Sequence, residues 1–283
     1  MQASSVHLDA AARIPVFEPL RTVNNALLDL LQSFTAEEWQ MPTVHPDRNV
    51  KDLTAHLLQG SLGRVSAIRD GYSLPIRSIT GIEDLIALIQ QNNRDFMTAM
   101  RRVSPRILID LLAIYDRELL AAFEALDPDA EGLGVAWAGE AVSCNWFDIA
   151  REYTEKWHHQ QQLRDATRRP PLYESALLAP VLETFARGLP FAFRSCKAKD
   201  GTCVAVTVTG SVTLQWTLRR IGGAWSLWSG RARDAQATIE MPADVAWRVW
   251  TKGMKRDEAL AKMEVRGDEA MATLLVSFVA IMA

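Results

Sequence analysis

The hydrophobic pattern of this chain changes character after Arg169-Pro170-Pro171, where alternating runs first appear. Before that point apolar residues recur three and four apart, the spacing that lines one face of an α-helix. Beyond it they alternate every second residue between glycines, the pattern of half-buried β-strands. Neither proline can continue a helix or a central strand, because each lacks a backbone N–H and biases the residue ahead of it away from the helical region. A helical domain followed by an α+β domain is the architecture that follows. At 283 residues the chain is long enough for two cores.

In the first part, Val16, Leu20, Val23, Leu27, Leu28, Leu30 and Leu31 mark a helix over 16–34. Thr35 and Glu38 form a capping box that opens a short turn carrying Trp39. Pro42 and Pro46 make 41–48 a loop, and Asn49 caps a helix to about Asp70. Further helical segments run from Gly81 to Arg101, from Ser104-Pro105 to about Leu126, and from Asn145 toward the Pro-Pro pair. Four principal long helices, with 81–101 as a further helical piece, predict a four-helix bundle over 15–168, preceded by an arm, 1–14, settling on the first helix. After a helix at 175–187, four alternating runs, beginning at Val204, Val212, Trp225 and Ala237, predict an antiparallel meander, and two closing helices complete a domain over 172–283.

Composition narrows the function classes. Thirty-one Lys and Arg against 34 Asp and Glu give a net charge of −3, too near neutral for a phosphate-neutralising surface, so no nucleic-acid partner is expected. The apolar stretch from Ala270 to Ala283 is too short to span a bilayer. Cys144, Cys196 and Cys203 form no paired framework, and no charged-then-apolar segment opens the chain, so a cytoplasmic protein with reduced thiols and no membrane partner is expected. Nine Trp beside four Tyr is unusual, and core packing is the plainer reason for it than an apolar ligand cavity in the Trp-rich strands.

Chemistry gathers at Glu155-Lys156-Trp157-His158-His159. Residues four apart on a helix project about 40° from one another, so Glu155 and His159 share a face and can reach one ion. His56, from another helix, would complete a His₂Glu set with an open position for substrate, the pattern of a catalytic rather than a structural zinc. By spacing alone the same pair also fits a solvated face. Glu152 shares that face, whereas His158 points about 100° away as an outward or supporting imidazole. His45, in the Pro-flanked loop, and His7, in the arm, are expected at the surface.

Two longer motifs raise the metal reading. Phe34-Thr35-Ala36-Glu37-Glu38-Trp39-Gln40-Met41-Pro42-Thr43, followed by Val50-Lys51-Asp52-Leu53-Thr54-Ala55-His56-Leu57, resembles the opening of the DinB-like, mycothiol-dependent maleylpyruvate isomerase family. In that family a Trp and a Pro-Thr precede a V-x-D-L-x-x-H-L helix with the first zinc histidine. Glu155 to His159 resembles its Glu-x-x-x-His helix, and Trp247 to Ile281 is similar to the sterol-carrier-protein-like domain attached to many members. The resemblance implies a DinB-like bundle holding Zn²⁺ on His56, Glu155 and His159, with Glu152 and His158 orienting the ligands. It further implies a low-molecular-weight thiol, mycothiol or bacillithiol, as co-substrate, and an electrophilic or unsaturated acceptor. In the isomerase reaction a thiolate adds to the conjugated double bond of maleylpyruvate, the new single bond rotates, and elimination gives fumarylpyruvate; other members transfer the thiol. A monomer or homodimer is expected.

The chain departs from the family pattern in three places. Asp47-Arg48-Asn49 stands where a Gly-Trp is common, and Gln160-Gln161-Gln162 where Gly-Gln-Asp is usual. Gly253 is followed by Met254, with Lys255 and Arg256 beyond, where the isomerases carry an arginine for substrate carboxylates. The alternative expectation is a non-enzymatic small-molecule or lipid-binding protein that retains fold and metal.

Overall fold

A computed structural model describes residues 8–73 and 81–281. His7 and the first seven residues of the expected arm lie outside the described residues. The fold mixes helices with an antiparallel-rich sheet, and the chain divides into two compact units. Among the described residues, one comprises 15–73, 81–130 and 151–172, and the other comprises 8–14, 131–150 and 173–281.

The helical unit contains α1 (Phe17–Gln32), α2 (Val50–Ile68), α3 (Ile82–Met100), α4 (Pro105–Glu124) and, from Arg151 onward, α5 (Asn145–Ala166). Leu27, Leu31, Leu53, Leu58, Leu108, Leu112 and Leu163 bury their apolar faces in one core, with α2 packed on α3 and α4, and α4 on α1. Local chemistry sets the starts. Asn49 Oδ1 accepts from the Asp52 N–H at 2.8 Å, and Asp52 accepts from the Asn49 N–H at 3.3 Å, a reciprocal cap that opens α2. The buried Asp52 carboxylate also takes both arms of Arg101 at 2.8 and 2.9 Å, fixing the start of α2 to the end of α3. Ser104 caps α4 with Pro105 behind it, and the Thr35–Glu38 box opens the turn that buries Trp39 edge-on to Phe34.

In the second unit, β1 (Asp9–Ala10), β4 (Cys203–Thr209), β5 (Leu214–Ile221), β6 (Ala224–Ser229), β7 (Ala237–Pro242) and β8 (Glu264–Arg266) form one sheet in the order β1-β6-β5-β4-β7-β8. A short ribbon, β2 (Glu131–Gly132) with β3 (Ser143–Cys144), stands apart from it in pairing. Helices α6 (Ser175–Ala186), α7 (Leu189–Ala192), α8 (Ala243–Trp250), α9 (Arg256–Leu260) and α10 (Glu269–Ser277) complete the unit.

Two expectations are corrected here. Asp9 and Ala10 pair with Ser229 and Trp228, so this part of the arm extends the sheet instead of resting on the first helix. The sheet is also not a pure antiparallel meander, because β7 runs parallel to β4, with Val206 opposite Ile239. β6 already points the same way as β7, so residues 230–236 must run back across the sheet. Thr217 holds that link on both sides: its hydroxyl donates to the Gly230 carbonyl and accepts from the Ala232 N–H, at 2.8 and 2.9 Å.

Trp216, Trp247 and Trp250 are fully buried, and their indole N–H groups donate to Glu183, Tyr173 and the Leu275 carbonyl. These three indoles are packing elements with satisfied polar ends. The three cysteines are free, and among the described residues no helix is long and apolar enough to cross a membrane.

Candidate metal centre

A polar helix is buried where a solvated face was one expectation. Along α5, Lys156, His158, His159, Gln160, Gln161 and Gln162 are all buried. Polar side chains can occupy such a position only when their groups find partners. Gln160 donates to the Val23 carbonyl at 3.2 Å, and the Gln161 carbonyl accepts from the Leu172 N–H at 3.1 Å. Trp157 donates to the Leu172 carbonyl at 3.1 Å. These bonds fix the rotation of α5.

That rotation turns Glu155 and His159 toward His56 on α2. One donor atom from each of the three lies within 4.8 Å of the others. The His159 Nε2 and a Glu155 carboxylate oxygen are 3.2 Å apart, and the His56 and His159 rings meet edge to face at 4.9 Å. His159 is buried while the Glu155 side chain is 45% exposed, so the cluster has one face toward solvent.

The protonation pattern suits a cation. Burial, reinforced by the neighbouring His159, depresses the His56 imidazole to about 3, and burial depresses His158 likewise to about 3. Both rings are therefore neutral at pH 7, and a neutral imidazole keeps one nitrogen able to accept. Burial by itself would raise the Glu155 carboxyl, but the hydrogen bond with His159 and the adjacent imidazoles hold it down to about 2. His56 Nδ1 is buried with no hydrogen-bond partner among the described residues. An orphaned imidazole nitrogen beside an ionised carboxylate and a second imidazole is a donor set that fits a divalent ion of the zinc type.

Gln162 was read only as a departure from a motif, yet it ties the cluster together. Its carboxamide oxygen is 2.8 Å from His159 Nδ1 and its amide nitrogen 2.9 Å from His158 Nε2. Both bonds have a donor when His159 carries its proton on Nδ1 and His158 accepts on Nε2, which leaves His159 Nε2 facing Glu155 and His56. A spacing search would have found Gln162, since it lies three residues after His159 and four after His158.

His158 is buried and bonded within this cluster, not outward. The Glu152 carboxylate is 3.8 Å from where a Cβ on Gly60 would stand, one turn of α2 beyond His56. His45 is the larger surprise. Expected at the surface, it is half-buried with its ring 6.5 Å from that of His159, and burial, then the charge of Arg48, lowers it to about 4. The loop is braced to hold it there: Arg48 N–H donates to the His45 carbonyl at 3.2 Å, while Thr43 N–H and Oγ1 donate to the Arg48 carbonyl at 3.2 and 2.8 Å. No periodicity marks a loop residue, so nothing in the spacing pointed to it.

Residues 20–164 match the family model described as the mycothiol maleylpyruvate isomerase N-terminal domain. Two solved structures, of the mycothiol-dependent maleylpyruvate isomerase and of a histidine-to-alanine mutant of it, align over 82% of this chain and 86% of theirs. Their TM-score is 0.52 and the identity 11%, a likeness of fold alone. No curated protein sequence matches the chain.

Proposed function

The chain belongs to the mycothiol maleylpyruvate isomerase N-terminal domain family, and from that premise we propose that it is a zinc-dependent enzyme of cis-trans isomerase or thiol S-transferase type. The observation that carries this reading is the convergence of His56, Glu155 and His159 from two helices, with a buried His56 nitrogen that lacks a partner among the described residues. Residues 15–168 are read as a DinB-like four-helix bundle holding the ion, and residues 172–283 as a sterol-carrier-protein-like domain.

The work of the residues follows from their contacts. His56, Glu155 and His159 would hold the ion, which would sit where the His159 Nε2 and the Glu155 carboxylate converge. Gln162 keeps the His159 ring in one tautomer and one orientation, with His158 behind the amide as its support. Glu152 is proposed as a further support on the same helix. When bound, the ion would lower the pKa of an entering thiol so that a thiolate is available at neutral pH. The three ligands leave a coordination position open for that thiol, mycothiol or bacillithiol, and the protein orients the unsaturated or electrophilic acceptor beside it. A cytoplasmic monomer or homodimer is proposed, with small molecules as its only partners.

A thiol-consumption screen tests the reading: mycothiol and bacillithiol, each against maleylpyruvate and a set of electrophiles, with metal-loaded and chelated protein. Turnover with one pair that disappears on chelation is expected. Thiol binding that survives removal of the metal would favour the alternative, a non-enzymatic binding protein.

A further inference from the structure

On the helices that carry the donor cluster lies a buried charged group that the proposed chemistry does not use. Lys156 and Asp116 are 1% and 3% exposed and pair at 2.6 Å. The ammonium also donates to Ser61 Oγ at 2.6 Å and to the Leu57 carbonyl at 3.4 Å, so each of its three protons has an acceptor. Ser61 in turn donates to the same Asp116 oxygen at 2.6 Å. The bridge therefore joins α5 to α2 and α4.

Stability is a poor reason for it. Removing two charges from water costs about as much as their attraction returns, and apolar replacements of such pairs are often neutral or favourable. The other Asp116 oxygen is buried with no hydrogen-bond partner among the described residues, a further cost that an apolar core would not carry. Location supplies a better reason. Lys156 directly follows Glu155, and Leu57 directly follows His56, so the bridge spans the two ligand-bearing helices one residue along from the ligands themselves. A directional, fully bonded ammonium fixes both the separation and the rotation of the helices, which interchangeable apolar contacts do not. Ligand distances in a metal site tolerate only about 0.2 Å.

We propose that Lys156, Asp116 and Ser61 are positioning residues that set the α2–α5 geometry at which His56, Glu155 and His159 meet one ion. The proposal rests on the metal reading above. Its test is the full chain carrying Lys156→Met with Asp116→Leu, compared with the parent in zinc affinity, by competition with a chromophoric chelator, and in the melting temperature of the chelated protein. The expected result is a melting temperature equal to or above the parent's with zinc affinity at least tenfold weaker. Undiminished affinity overturns the proposal. Should the double variant fail to fold, Ser61→Ala removes one link alone; about threefold weaker binding at unchanged melting temperature is expected, and unchanged binding again overturns it. A parent that binds no zinc refutes the metal reading instead, and positioning is then read from histidine-ring NMR of the chelated proteins. One sharp set of His56 and His159 signals in the parent, broadened or doubled in the variant, supports it, and identical spectra overturn it.

Discussion

Gln162 joins two imidazoles in different circumstances, His159 beside Glu155 and His158 deep in the helical unit. Replacing it with Leu keeps the volume and removes both bonds, so His159 loses the group that fixes its tautomer. Loss of such an orienting partner weakens metal affinity by about ten- to a hundredfold. That loss should appear in chelator competition with Gln162→Leu, and an unchanged affinity would show that the amide is incidental. The same imidazoles make the chelated protein sensitive to acid. His45, His56 and His158 are depressed to about 4, 3 and 3 from an ordinary 6.5. Between pH 6.5 and 4 the unfolded chain therefore takes up protons that the folded chain refuses, and stability must fall with falling pH in that window and level off above it. Urea midpoints of the chelated protein at pH 7.5, 6.5, 5.5 and 4.5 should fall a little across the first two and steeply across the last two. A midpoint constant down to pH 4.5 would mean that these rings are not held neutral by burial.

At the scale of elements, the entry to α2 matters most, because it presents His56. Asn49→Ala removes the side-chain half of the cap and should lower stability by about 1 kcal/mol in urea unfolding. A loss near zero would mean that the Arg101–Asp52 pair alone fixes the entry. Such starts were legible in the sequence because their chemistry is local: Asn49 with Asp52, Thr35 with Glu38, and Ser104 ahead of Pro105. The Glu155–His159 register was equally legible, being helix arithmetic, whereas His56 stood in the sequence only as a candidate third ligand from another helix, strengthened by a resemblance, and its meeting with the pair depends on long-range packing. The parallel β4–β7 pair was hidden because it depends on residues 230–236 crossing the sheet, a tertiary event that alternation does not encode. Burial of Gln160 to Gln162 was hidden too. Spacing gives no partner for these amides; the fold brings Gln160 to the Val23 carbonyl and Gln161 to the Leu172 N–H.

For the whole molecule, two compact units carry the proposed chemistry unequally, since all three proposed ligands lie in the helical one. An ion that binds the folded state alone adds about 4 kcal/mol at a thousandfold excess over its Kd. Chelation should therefore lower the melting temperature of the parent, and should leave a His159→Ala protein, which has lost a ligand, where it was. The most direct test of the central claim is the metal content of the purified full chain, by elemental analysis, with His159→Ala beside it. One divalent ion per chain in the parent and none in the variant is the expected result, whereas a parent without stoichiometric divalent metal would contradict the account.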